Sequence, residues 1–162
     1  MGLDMFLMKE TYIGANYDHN NITGTVEIYR KGELIPIKLD RISTISEEVA
    51  YWRKAWVIHT WFVDNVQNGE DDCGTYKVKY DQLVTLVNIC KRILNEVEET
   101  GSRKLAEELL PIDKGNECCG GVSLYGEDYF EELRLTVKMI DPVLAKVDPK
   151  DYNVTFEYRS SW

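Results

Sequence analysis

The sequence predicts an α+β domain, a mainly antiparallel sheet with about three main helices packed on one face. Three observations carry that prediction. Alternating apolar stretches stand at the two ends of the chain, apolar stripes at helical spacing fill its middle, and short turn-rich segments separate them. At 162 residues with 44% hydrophobic content, the chain has material for one core, so residues 1–162 are read as a single domain.

The first element is a strand. Leu3, Met5 and Leu7 alternate with Asp4, Phe6 and Met8, which predicts a strand buried largely on both faces. Residues 12–23 then read as a polar loop that holds His19 beside Asp18 and Asn20, a setting typical of a solvated histidine. A hairpin follows: Val26 and Ile28 run out, Lys31-Gly32 turns, and Ile35, Ile37 and Leu39 return. Pro36 restricts the return strand to an edge or a bulge, because proline donates no ladder hydrogen bond.

The most informative stretch is 47–67, where three of the four tryptophans and one of the two histidines fall together. Trp52, Trp56, His59, Val63 and Val66 step at four-three-four-three, and Ala55, Ile58 and Phe62 fill the adjacent row, which predicts a central core helix over 47–67. Thr44, Ser46 and Glu47 supply capping signals and Asn68-Gly69 the stop. Burying such rings stabilises by roughly 1.5 to 3 kcal/mol each. Arg53 is expected to point away from the apolar stripe, with Lys54 and Trp61 on its flank.

Beyond an acidic turn at Glu70-Asp71-Asp72, residues 75–80 alternate as a short middle strand. Asp81 is then expected to cap a second helix with Leu83, Leu86, Val87, Cys90, Leu94 and Val97 inward. A short helix over about 102–110 closes at Pro111. A glycine loop at 114–121 includes Gly120, Gly121 and the vicinal pair Cys118-Cys119. A third long helix opens at Glu127-Asp128, with Phe130, Leu133, Val137 and Ile140 inward, and ends at Pro142 or continues kinked past it. Val154, Phe156 and Tyr158 alternate as the last strand.

Composition bounds the function. A net charge of −9 opposes binding nucleic acid through its phosphates and favours a basic protein surface as charged partner. Neither a secretion signal nor a membrane span is read, so the four cysteines are expected as free thiols in the cytoplasm. A zinc site using Cys118 and Cys119 with Cys73 or His59 lacks a recognised ligand spacing, and neither metal nor cofactor is expected. No GxSxG, HExxH or Walker pattern occurs.

The segments MGLDMFL, AYWRKAWVIHTWF, ELLPIDKG and YGEDYFEELRLT together resemble a family of small phage and prophage proteins, over nearly the whole chain. The chain departs from that family after the LLP segment, where Gly115 to Gly120 replace an aromatic run. The resemblance implies a viral or mobile-element origin and no particular activity. It covers Tyr51, Trp52, Arg53, Lys54, Ala55, Ile58, His59, Trp61 and Phe62, then Tyr125, Tyr129, Leu133 and Thr136.

The expected function is therefore an accessory protein of the host-cell cytoplasm that sequesters or inhibits a host factor, such as a component or signal of antiviral defence. Its partner is a host protein or a small phosphorylated ligand. Arg53, Lys54, Trp61, Tyr125, Tyr129, Gly120 and Gly121 are the candidate contacts. The alternatives are an enzyme on such a ligand, using His59, Lys54 and Tyr129, and an oligomeric assembly protein with Trp61 and Trp162 at its interface. For His59 the competing reading is a core histidine hydrogen-bonded to a neighbour.

Overall fold

A computed structural model describes residues 2–14, 27–38, 41–112 and 125–162. Four strands form one antiparallel sheet in the order β4-β1-β6-β5, built from β1 (Asp4–Tyr12), β4 (Thr44–Arg53), β5 (Thr75–Val78) and β6 (Val154–Ser161). The helices are α1 (Trp56–Asn65), α2 (Tyr80–Thr100), α3 (Lys104–Leu109) and α4 (Glu127–Leu144). The predicted α+β class and antiparallel sheet are both present.

The register separates the two faces of the sheet. Met5 pairs with Trp52 and Ser160, and Leu7 with Ala50 and Tyr158, so these side chains share a face. All are buried. Helices cover this face from two sides. Tyr158 stacks on Phe62 of α1 with centroids 3.9 Å apart, and the Trp52 indole N–H donates to Thr136 Oγ1 of α4 at 2.9 Å. Leu83, Leu86, Cys90 and Ile93 of α2 and Leu133 and Ile140 of α4 complete the core.

The opposite face is open, which corrects the expectation that the first strand is buried on both sides. Asp4, Phe6 and Met8 are only half-buried, Tyr51, Arg53 and Arg159 are exposed, and no described helix packs over them. A sheet with helices on one side needs apolar residues only at alternate positions.

The predicted helix over 47–67 is two elements. Its first half lies in β4, along with Thr44, Ser46 and Glu47, so none of these caps a helix. Ala50 and Trp52 satisfy a period of two as well as they satisfy a helical stripe, and pairing along the length of β1 decides between them. Lys54, at φ 60, turns the strand and donates its backbone N–H to Leu3 O at 2.8 Å. The helix begins only at Trp56 and buries Val57, Ile58, His59, Trp61 and Phe62. An element this apolar around its circumference belongs inside a core. Asn68 and Gly69, at φ 57 and 83, form the turn that follows.

The later helices keep their predicted apolar stripes, but α2 starts at Tyr80 with Lys79 as its N-cap, so Asp81 lies in the first turn and does not cap the helix. In α2 the Leu83, Leu86, Val87 and Cys90 stripe is buried, and Gly101, at φ 68, closes the helix with its N–H on Val97 O. In α4, Pro142 sits within the last helical turn and the helix continues to Leu144.

The hairpin forms with its predicted turn, Lys31 at φ 55 and Gly32 at φ 83, between β2 (Ile28–Arg30) and β3 (Glu33–Ile35). It is a separate two-stranded sheet and does not join the main one. Val26, Leu39, His19 and the glycine loop with Cys118, Cys119, Gly120 and Gly121 lie outside the described residues.

Candidate functional site

His59 is 2% exposed and bonded through both ring nitrogens. Nε2 lies 3.1 Å from Asp71 Oδ2, and Nδ1 lies 2.8 Å from the Tyr158 hydroxyl. An ionised carboxylate only accepts, so the Asp71 contact requires the proton on Nε2. In the neutral ring Nδ1 then accepts from Tyr158. Burial, and after it the charge of Asp71, pushes the Tyr158 phenol well above its usual range, which keeps it a donor. The other Asp71 oxygen accepts from the Trp162 indole N–H at 3.0 Å.

This chain of four side chains ties α1, the acidic turn and β6 together. It has the order of an acid-base relay, carboxylate to imidazole to hydroxyl. Its terminal hydroxyl, however, belongs to a residue that is 0% exposed and covered by the Phe62 ring, so no substrate atom can approach it. The acidic turn is similarly self-satisfied: Asp72 Oδ1 accepts from Gly74 N–H at 2.8 Å. Among the described residues no group of three His, Cys, Asp or Glu side chains is placed to hold a metal ion.

The other sequence-predicted residues are spread over the fold. Tyr129 is buried and donates to Leu110 O at 3.0 Å, and burial raises its phenol pKa far above the usual range. Tyr125 meets Tyr129 edge to face at 5.1 Å, and its hydroxyl accepts from Ile112 N–H at 3.2 Å. The two tyrosines thus fasten the start of α4 to the end of α3 and do not bond to His59 or Lys54. Trp61 is buried edge-on against Phe62. Arg53 and Lys54 are exposed at the end of β4.

Arg53 instead belongs to a set of residues on the open sheet face. Register places Arg53 beside Asp4, and in the next row Tyr51, Phe6, Arg159 and Thr75. The Tyr51 and Phe6 rings are 5.2 Å apart, and the Arg159 guanidinium sits 4.8 Å over the Phe6 ring. Tyr51 donates its hydroxyl to Asp4 Oδ1 at 2.5 Å, a bond that raises its pKa. The result is an aromatic pair with the Arg159 guanidinium over one ring, Arg53 and the Asp4 carboxylate in the next row and Lys54 next in sequence, on a chain of net charge −9.

Sequence reasoning named Arg53 and Lys54 as contacts but missed Phe6, Tyr51 and Arg159 as a group. The signal was present in the alternation of β1 and β6, yet reading β4 as helix removed the strand that brings Tyr51 to Phe6. No family model, no curated protein and no solved structure matches the chain.

Proposed function

We propose that this is a non-catalytic binding protein, an accessory factor of phage or prophage type that occupies a host protein in the host cytoplasm. The observation that carries this reading is the Tyr51-Phe6-Arg159 stack on the uncovered sheet face. Tyrosine and arginine dominate the energetics of protein interfaces, and rings held on a sheet lose little freedom on binding. The cations Arg53, Lys54 and Arg159 suit an acidic patch on that partner. This differs from the partner expected from overall charge, because local charge governs a contact once the surfaces meet.

The state of His59 supports the same reading. A histidine bonded on both nitrogens inside the core stabilises a fold; it has no free lone pair or proton facing solvent. An enzyme built on His59, Lys54 and Tyr129 would need these three to converge, whereas the hydrogen bonds of His59 go to Asp71 and Tyr158 and that of the Tyr129 hydroxyl goes to Leu110 O. Affinity capture from host cells tests the proposal: a host protein retained by the intact chain and lost with Tyr51→Ala or Arg159→Ala supports it. Retention of a host protein regardless of these substitutions, or of no protein at all, overturns it.

A further inference from the structure

The β2–β3 hairpin exposes apolar side chains on both of its faces. Ile28 pairs with Ile35 on one side and Tyr29 with Leu34 on the other, and these four are 43%, 37%, 60% and 55% exposed. An isolated two-stranded hairpin is at best marginally stable in water, so two bare faces call for a covering surface. Its tip is basic, with Arg30 and Lys31 at the turn, in a chain that is otherwise strongly acidic. Glu33 pairs with Arg30 across the strands, leaving Lys31 at the apex.

A complementary surface exists on the same chain. At the end of the open sheet face remote from Tyr51, a shallow pocket of about 360 Å³ is lined by Glu10, Glu157, Tyr12 and Tyr152, among others. Lys77 also lines it, directly across from Glu157, and offsets part of the charge; Glu48, opposite Met8 on the same face, adds to it. Tyr152 is 97% exposed, an uncovered ring at the mouth of an acidic recess. No hairpin residue lines this pocket within one chain.

We infer that the hairpin is an exchange arm between two copies of this chain: Arg30 and Lys31 of one copy seat in the Glu10 and Glu157 pocket of the second, with one apolar face of the arm against Tyr152. Reciprocal exchange closes a twofold dimer and uses each contact twice. The pocket residues Glu10 and Glu157 are distinct from the Tyr51 stack, although Glu157 lies in the row next to Phe6 and Arg159.

Light scattering on the full chain tests this. A concentration-dependent dimer is expected at low salt, weakened by added salt because the paired charges lie near the surface. Arg30→Glu with Lys31→Glu should weaken association at least about tenfold, and Glu10→Lys with Glu157→Lys should do the same. Mixing these two charge-reversed proteins should restore association to within about threefold of the original. Circular dichroism on each variant checks that the substitutions at exposed Arg30 and Lys31 and at half-buried Glu10 and Glu157 leave the fold intact. A chain that stays monomeric at low salt and high concentration overturns the inference, as does an assembly indifferent to both reversals or a mixture that fails to associate.

Discussion

The Tyr158 hydroxyl lies 2.8 Å from His59 Nδ1, inside a core that leaves neither residue a path to solvent. That contact settles what the one described histidine does structurally, and its removal has a predictable cost. Tyr158→Phe leaves Nδ1 buried and unpaired and should cost about 1–3 kcal/mol of stability. His59→Ala strands Tyr158 and Asp71 together and opens a cavity, so a larger loss of about 3–5 kcal/mol is expected. Urea unfolding of both variants measures this; a stability unchanged by either would contradict a structural role.

The bond from the Trp52 indole to Thr136 joins the sheet to α4, and the Thr136 hydroxyl in turn donates a hydrogen bond to Glu132 O at 2.8 Å. Thr136→Val should leave the indole N–H without its acceptor and cost about 1–3 kcal/mol. Trp52→Phe should cost a similar amount. The double variant should lose less than the two costs added, because each removes the same bond. Additive costs in a double-mutant cycle would show that the bond contributes nothing.

Glu132 supplies a pH dependence. Burial, and after it the charge of Asp128, raises its carboxyl pKa from 4.5 to about 7. A folded-state pKa above the unfolded one means that the native chain holds the proton more tightly. The group therefore imposes no penalty below the unfolded pKa, and stability falls as pH rises through the window up to about 7. Glu132→Gln should gain ~1–3 kcal/mol at about pH 8 and nothing at about pH 4. Parallel unfolding curves for the two proteins across that window would refute the assignment.

These contacts show what a linear reading could and could not reach. The stripes of α2 and α4 were legible because their apolar residues recur at helical spacing over many turns, and no other period fits Leu83, Leu86, Val87 and Cys90. The hairpin turn was legible because Lys31-Gly32 places glycine where a positive φ is needed. In β4 the residues Ala50 and Trp52 satisfied both periods, and the strand was decided by β1, some forty residues earlier. Lys54 marks the break with a left-handed backbone that a lysine does not advertise. His59 was legible as a core histidine. Its partners were not, since Asp71 and Tyr158 are 12 and 99 residues away and are joined to it only by the sheet and the turn.

The open face predicts a separation of binding from stability. Tyr51 and Arg159 are exposed, and substituting either with alanine should cost no more than about 1 kcal/mol, the worth of a cross-strand ring pair or an exposed cation–π contact. The same changes should weaken partner binding about tenfold or more, if these side chains anchor the contact. Titration calorimetry against the captured partner, beside thermal unfolding of each variant, reads the two effects separately. Equal loss of stability and binding would mean that the patch acts only by holding the sheet together.

A partner met on the open sheet face, with His59 serving the fold, makes two substitutions differ in their effect on binding. The measurement compares binding of the captured host protein by Tyr51→Ala and by His59→Asn at a temperature where both are fully folded. Tyr51→Ala should bind about tenfold more weakly or worse, while His59→Asn should bind within about threefold of the unaltered chain. Binding or turnover abolished by His59→Asn in a folded protein, with Tyr51→Ala unaffected, would contradict both expectations.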